Sequence, residues 1–497
     1  MQLYFVWFLI YSYISEKING HSLSMDQEFL YNRVAAIISS QINSGLFNEG
    51  DRLPSVRALC LEHKISMNTA KRVYLELESQ SLIRSKPQSG YFVTTPFPRQ
   101  LPLPGVSHPS LEVSNEKPNE LVTEVYSNIG NTSLTLFSIG IPSGNLLPLA
   151  KLRKELAVAT RALPGAGTEY EPLAGNRKLR KAIAIRSAAW GGSLKDTDLV
   201  TTSGAMNALF FCLMAVGKAG DTLAVESPCY PGIFQLANSL GLKVLELPTH
   251  PTTGIVLEAL ERALPMIDIC LLVPNFNTPL GSCMPDENKQ LVVSMLADHN
   301  IPLIEDDIYG DLHYSNQRPK CCKSFDLTGN VLWCSSVSKT LAPGYRVGWI
   351  APGKYKERVL ELKLAHSISS ASSTHEAVGN FMKTGQYDRH LRQFRLTLQS
   401  NYHNYVRTIA NCFPKGTKTS RPQGGIALWV ELPKEIDTAR LYNLALKQGI
   451  SIAPGRMFTL QDQFQHCMRL CISLPWDDSI RMKLQQVGAI ANAMMYK

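Results

Sequence analysis

Apolar positions recur along this 497-residue chain in two rhythms, and the change from one to the other divides it. Between residues 26 and 95 the spacing is helical three times and then alternates. Leu30, Val34, Ile37 and Ile38 fall on one face of a helix that should stop at Gly45. The turn Asn48-Glu49-Gly50-Asp51 leads into Arg52-Leu53-Pro54-Ser55, where Ser55 is placed to cap a second helix with Val56, Leu59 and Cys60 inward. Ser66 is placed to cap a third. Ala70, Val73, Tyr74 and Leu77 lie on its inner face, Asn68 and Lys71 on its outer face. Leu82-Ile83-Arg84 and Tyr91-Phe92-Val93 then read as two strands. Three helices and a hairpin predict a winged helix-turn-helix over residues 25–95.

From about residue 120 short apolar runs alternate with helical stretches. The runs are Leu199-Val200-Thr201-Thr202, Thr222-Leu223-Ala224-Val225, Leu242-Lys243-Val244-Leu245, Ile269-Cys270-Leu271-Leu272-Val273, Pro302-Leu303-Ile304 and Val331-Leu332-Trp333-Cys334. Each ends in a polar or glycine-bearing loop. This pattern predicts a mostly parallel sheet with helices on both faces, whose ligands bind beyond the carboxyl ends of the strands. Between the two regions, residues 96–118 carry six prolines among polar residues. We expect a semi-extended linker over 96–120 that lets the flanking parts move independently. A large domain over 121–350 and a small C-terminal α/β domain over 351–497 complete the expected division.

Composition narrows the class. Hydrophobic content of 44% and charged content of 18% describe a globular protein, and a net charge of +9 permits an anionic partner without requiring one. The 11 cysteines include no C-x-x-C pair, which fits free thiols in the cytoplasm and argues against a metal site. The apolar run at residues 3–14 is too short to span a bilayer and lacks a basic flank and a cleavage site. Met25 stands just before the first amphipathic helix, so residues 1–24 are expected to be a start-site extension. A weak membrane anchor is the alternative reading.

The first region has the surface of a DNA reader. A recognition helix needs short polar side chains at its first turn, and Ser66, Asn68, Thr69 and Lys71 supply them. Between residues 52 and 86 there are seven basic side chains and three acidic ones, an excess suited to phosphates. A small helical domain with an ordinary charged face has the same features, so the residues leave both readings open.

The second region gathers chemistry at its strand ends. Ser203-Gly204-Ala205 opens a helix, where free N–H groups attract an anion. Tyr230 offers a flat ring face. Asn277-Thr278-Pro279 follows another strand. Glu305-Asp306-Asp307-Ile308-Tyr309 sets three acids at a strand end, where burial is costly unless a cation meets them. Last comes Ser335-Ser336-Val337-Ser338-Lys339, followed by Pro343-Gly344-Tyr345-Arg346. Lys339 taken alone is equally a surface residue or an amine whose pKa burial lowers for imine formation. Together these groups form an anion cradle, an aromatic platform, a buried acid, a phenol and a lysine, an inventory that fits pyridoxal phosphate.

Two resemblances sharpen this. Residues 29–93 resemble the GntR-type winged helix through Gly45-Leu46, Gly50-Asp51-Arg52-Leu53-Pro54-Ser55-Val56-Arg57, Ser66-x-x-Thr69, Tyr74-x-x-Leu77 and Ser89-Gly90-Tyr91-Phe92-Val93. That resemblance implies operator contacts by Arg57, Ser66, Thr69 and Lys71, with the wing at Gln88 and Gly90 in the minor groove. Met67 stands where the family commonly has arginine, so one contact is absent and a different operator is expected. Residues 126–497 resemble class I/II aminotransferases of fold type I. The whole is similar to the MocR subfamily of GntR regulators, and to its YdcR-like members through Lys86-Pro87-Gln88-Ser89-Gly90-Tyr91 and Ser451-Ile452-Ala453-Pro454-Gly455.

The resemblance implies a role for each site residue. Lys339 forms the imine with the cofactor, Asp306 pairs with the pyridine nitrogen, Tyr309 contacts the ring hydroxyl and Tyr230 stacks on the ring. Ser203, Gly204, Ala205, Ser336, Ser338 and Arg346 bind the phosphate. Tyr170 reaches the phosphate of a neighbouring subunit, which implies a homodimer. Arg469 binds a substrate carboxylate; from the residues alone it is equally a structural ion-pair partner. Thr278 stands where aminotransferases usually have asparagine, a change that bears more on transamination than on cofactor binding. The expected function is a regulator that binds double-stranded DNA and senses an amino compound, or the cofactor itself. The alternative is an aminotransferase with an accessory DNA-binding domain.

Overall fold

The computed structural model describes residues 30–94, except positions 45, 49, 81, 87 and 88, and residues 101–495. The expectations for residues 1–24 and for Gln88 lie outside the described residues. The chain forms two compact units, with the boundary between Phe97 and Pro98.

In unit 1 three helices, Leu30–Asn43, Val56–His63 and Met67–Ser79, precede a hairpin of β1 (Ile83–Lys86) and β2 (Gly90–Val93), paired from Ile83↔Val93 to Lys86↔Gly90. Both expected caps form: Ser55 Oγ accepts from the Ala58 N–H at 3.1 Å and Ser66 Oγ from the Thr69 N–H at 3.1 Å. The first helix differs from the expectation. Leu30 and Ile37 are about half exposed, whereas Tyr31, Val34, Ala35, Ile38 and Ile42 are buried. The inner face is rotated because Tyr31 turns inward and lies under the Arg72 guanidinium, 4.3 Å from its ring centre. Tyr74 ties the third helix to the hairpin. Its ring stacks on Tyr91 at 4.3 Å and its hydroxyl donates to the Pro54 carbonyl at 2.5 Å.

Unit 2 holds two larger sheets. A two-residue strand, β3 (Thr135–Leu136), comes first. The main sheet follows with β4 (Val200–Thr202), β5 (Thr222–Ser227), β6 (Lys243–His250), β7 (Gly254–Ile255), β8 (Ile269–Leu272), β9 (Leu303–Asp306), β10 (Val331–Ser336) and β11 (Gly348–Ala351), in the order β4-β11-β10-β9-β8-β5-β6-β7. All six apolar runs expected from the sequence are strands of this sheet. β10, β9, β8, β5 and β6 run parallel; β11 is antiparallel to both neighbours, and β7 to β6. β5, β8 and β10 are buried along their whole length, which is why they read as continuous apolar runs. The second sheet contains β12 (Lys418–Thr419), β13 (Ala427–Glu431), β15 (Ala453–Pro454) and β16 (Cys467–Cys471), in the order β12-β13-β16-β15, while β14 (Ile450–Ser451) pairs with β3.

The expected linker behaves differently from a free tether. From Leu101 to Ser114 it is fastened across unit 2. The Leu101 carbonyl accepts from Arg421 Nη2 at 3.1 Å, the Pro102 carbonyl from the Thr419 N–H at 3.0 Å, and the Gly105 N–H donates to Glu431 at 3.2 Å, all at the second sheet. Ser107 then reaches the main sheet, where its buried hydroxyl donates to the Ser227 carbonyl at 2.5 Å and accepts from the Thr249 N–H at 2.8 Å. Ser114 and Val244 exchange two main-chain hydrogen bonds of 2.8 and 2.9 Å. Prolines favour this extended path, and polar neighbours supply the bonds. Among the described residues no helix is long and apolar enough to cross a membrane, and no side-chain cluster could hold a metal ion.

Candidate functional site

A cavity of about 170 Å³ lies at the carboxyl ends of the main-sheet strands, bordered by Ala205, Tyr230, Thr278, Asp306, Tyr309, Ser338, Lys339 and Arg346. The sheet topology explains the gathering. Asp306 ends β9, Arg346 stands just before β11, and the others follow a strand by a few positions; parallel neighbours end on the same side.

Lys339 sits in the turn between β10 and β11. Its ammonium donates to the Gly140 carbonyl at 2.5 Å. Burial, with the Arg469 charge second, lowers its pKa to about 8. Of the three acids ending β9, two have partners elsewhere. Glu305 accepts from the N–H groups of Cys322 and Lys323 at 2.7 and 2.9 Å. Asp307 pairs with Arg318 and accepts from Trp333 Nε1 at 3.1 Å and Asn275 at 3.0 Å. Asp306 alone faces the cavity. Its Oδ1 has no hydrogen-bond partner, and burial together with the Asp307 charge raises its pKa to about 7. Tyr309 is buried and faces Thr278, and burial holds its hydroxyl well above the usual phenol range. The Thr278 hydroxyl is buried without a fixed donor or acceptor. Asn277 does not border the cavity, and its side-chain oxygen accepts from the Leu280 N–H at 3.3 Å.

The opposite end is an anion cradle. The helix Ala205–Val216 starts at Gly204, and no side chain caps it. Gly204 has φ +88°, and a Cβ there would collide with the Arg346 guanidinium. Arg346 Nη2 donates to the Ser203 carbonyl at 3.0 Å, and the Ser203 N–H donates to Asn207 at 3.0 Å. The Ser338 hydroxyl is buried and unpaired. The Ser336 hydroxyl instead accepts from the Ser338 N–H at 3.1 Å and shapes the turn.

Arg469, on β16, comes in from the second sheet. It is buried, its Nε and Nη1 have no partner, and its guanidinium lies 5.7 Å from the Phe458 ring centre. A Cβ on Gly140 would stand 3.6 Å from Arg469 Nη1 and 4.0 Å from Lys339 Nζ, so this glycine lies between the two cations. Sequence reasoning missed Gly140. It also missed Tyr126, whose phenol lies beside Tyr230 and Arg469. A glycine just before Ile141-Pro142 in a loop was the available signal. Tyr170 is not at this cavity; it is 78% exposed on the surface of unit 2.

The unpaired atoms fit pyridoxal phosphate. Asp306 Oδ1 suits a protonated ring nitrogen, Thr278 and Tyr309 a ring hydroxyl, and the uncapped helix start with Ser338 and Arg346 a phosphate. In unit 1, Ser66 and Lys71 are exposed at the start of the third helix with Thr69 half-buried between them, and Arg57 is exposed on the second helix. The Ser66 and Thr69 hydroxyls are 2.8 Å apart. Gly90, with φ +106°, lies against Arg52 at the start of the second wing strand.

Residues 132–481 match the family of class I and II aminotransferases, and residues 30–93 match the gntR family of bacterial regulatory proteins. The HTH-type transcriptional regulator YjiR of Escherichia coli K12 is 38% identical over 467 residues, 93% of this chain and 99% of that protein. YdcR of the same strain is 33% identical over 465 residues, 93% of this chain and 98% of that protein. The crystal structure of the multiple substrate aminotransferase from Thermococcus profundus shares the fold of unit 2, with a TM-score of 0.70 at 21% identity over 76% of this chain and 96% of that one. A gntR-type winged helix followed by an aminotransferase-type sheet is the combination at hand, and the chain belongs to the MocR subfamily of GntR-type transcriptional regulators.

Proposed function

We propose that this regulator binds operator DNA through unit 1 as a cytoplasmic homodimer and reads an amine ligand bearing a carboxylate through unit 2. The observation that carries the reading is the pairing of Lys339, an amine with a lowered pKa, with Arg469, a buried guanidinium lacking a carboxylate, on either side of Gly140. An unpaired buried cation is costly, and an incoming carboxylate would relieve that cost.

Pyridoxal phosphate, when bound, supplies an aldehyde that condenses with a primary amine and a ring that withdraws electrons. The chain's residues do the rest. Asp306 keeps the ring nitrogen protonated, and Tyr309 with Thr278 orients the ring hydroxyl. Tyr230 covers one ring face. Gly204, Ala205, Ser338 and Arg346 hold the phosphate, with Ser203 and Ser336 shaping the two turns. Tyr170 adds a phosphate contact to the second copy. Lys339 would present its amine to the aldehyde, and Arg469 would orient the ligand's carboxylate. Arg469 and Lys339 belong to different sheets, so a ligand held by both favours the arrangement in which the sheets close. The strap from Leu101 to Ser114 is bonded to both sheets and leads back along the chain to unit 1, where Arg57, Ser66, Thr69, Lys71 and the wing contact DNA.

The test is a mobility shift with purified full-length protein on DNA upstream of its own coding region, with and without cofactor and an amine panel. Absence of any shift at moderate salt sinks the proposal. A second reading, amino-group turnover, is favoured by the presence of Lys339, Asp306, Tyr309 and Arg469 together. Sustained conversion of a keto acid in the presence of an amino donor would establish it.

A further inference from the structure

Behind Tyr170 lies a group of buried polar atoms that the ligand site does not use. Tyr170 is 78% exposed, but the side chain of the next residue, Glu171, is only 4% exposed. Neither Glu171 carboxylate oxygen has a hydrogen-bond donor, and Oε2 lies 3.5 Å from Nδ1 of His375. His375, on the helix Ser372–Lys383, is fully buried, and both of its ring nitrogens lack a hydrogen bond. Lys363, on the helix Lys356–His366, adds a fully buried ammonium without a hydrogen bond, which feels the Glu171 charge and whose pKa burial lowers to about 8. Arg180 contributes a second positive charge, and its guanidinium is held by the carbonyls of Gly175 at 3.3 Å and Asp196 at 2.6 Å. The main chain is fixed as well. The Glu171 N–H donates to Ser369 Oγ at 3.1 Å, and the Ala174 carbonyl accepts from the Thr201 N–H at 3.0 Å.

A buried carboxylate beside an ammonium and an imidazole adds little net stability, but the loss of one member leaves the others' charge uncompensated. Here that group stands next to Tyr170, whose exposed side chain lies outside its own cavity. We propose that Glu171 is a positioning residue: its carboxylate, held between Lys363 and His375, fixes residues 168–175 so that Tyr170 projects toward the cofactor phosphate of a second copy of this chain. The inference rests on the reading of Tyr170 given above.

The test uses full-length protein and reads three quantities: cofactor dissociation constant by equilibrium dialysis, oligomeric state by light scattering, and thermal midpoint. Tyr170→Phe and Glu171→Gln should each weaken cofactor binding, Glu171→Gln by roughly tenfold, while the dimer persists. In the Tyr170→Phe background Glu171→Gln should have no further effect, because it acts through the phenol. Equal effects of Glu171→Gln in both backgrounds would mean a merely structural role and overturn the proposal. No effect of Tyr170→Phe would overturn the underlying reading of Tyr170 and the proposal with it. Should Glu171→Gln fail to fold, Lys363→Met gives the same comparison, and Lys363→Met with Glu171→Gln should recover affinity relative to Lys363→Met alone.

Discussion

The Lys339 ammonium donates to the Gly140 carbonyl across 2.5 Å, joining the turn after β10 to a segment 199 residues earlier in the chain. That one bond holds the amine at the cavity wall. It does not offset the burial that lowers the lysine's pKa to about 8. In the apoprotein Lys339 therefore binds fewer protons than in the unfolded chain between pH 8 and the ordinary lysine value. Stability should rise with pH across that window, and the penalty is fully present below it. Lys339→Met should make the apoprotein more stable at pH 7 by about 2 kcal/mol, an advantage that shrinks toward pH 10. Thermal melts of apoprotein and variant across that range measure it. The same variant should lose the visible absorption band of the cofactor-bound protein.

Asp306 has the opposite sign. Its pKa is raised to about 7, so the folded apoprotein holds a proton that the unfolded chain has released between the ordinary carboxylate range and pH 7. Stability should fall as pH rises through that window and stay reduced above it. Asp306→Asn should stabilise the apoprotein above pH 7 by about 1–3 kcal/mol and be nearly neutral at about pH 4. Cofactor affinity should fall at least tenfold, because an amide cannot pair with a pyridinium as a carboxylate does. Denaturant melts and equilibrium dialysis separate the two effects.

Six strands of the main sheet and the cluster at their ends were legible in the sequence because parallel strands buried on both faces give unbroken apolar runs. What lies beyond each run is short and polar. The choice among Glu305, Asp306 and Asp307 was not legible from residue type. It depends on Cys322, Lys323, Arg318 and Trp333, which arrive from later segments and occupy the other two acids. The place of Gly140 likewise depends on Lys339 and Arg469, which arrive from later segments. The inner face of the first helix was misread at Leu30 and Ile37 because periodicity does not say that Tyr31 will pack inward under Arg72. The strap was read as a free linker because proline-rich composition reports extension, not what the extended chain binds.

Ser107 should show that the strap is part of unit 2. Its hydroxyl is buried, donates to the Ser227 carbonyl and accepts from the Thr249 N–H. Ser107→Ala leaves both main-chain groups short of a partner, so a loss of about 1–3 kcal/mol is expected. Hydrogen exchange should rise at Thr249 and around Ser227 while unit 1 is unchanged. Unchanged protection at both places would show that the strap's bonds are dispensable.

Arg469 separates the two parts of the proposed ligand. Its guanidinium is buried at the second sheet with Nε and Nη1 unpaired, and it depresses the Lys339 pKa. Arg469→Met removes that charge while keeping much of the length of the side chain. Three consequences follow from the one change. The apoprotein should gain stability, since an uncompensated buried cation is replaced by an apolar side chain. The pKa of the free Lys339 amine should move up toward the ordinary lysine value, read from the pH dependence of apoprotein stability. Selectivity should invert in a defined way: an α-amino acid should lose at least tenfold in affinity, whereas the amine obtained by removing its carboxylate should bind as well as before or better. Titrating the visible spectrum with such a matched pair reads the third effect directly. Equal losses for both partners would mean that Arg469 supports the cavity without meeting the carboxylate, and the ligand class would then have to be sought in amines that carry none.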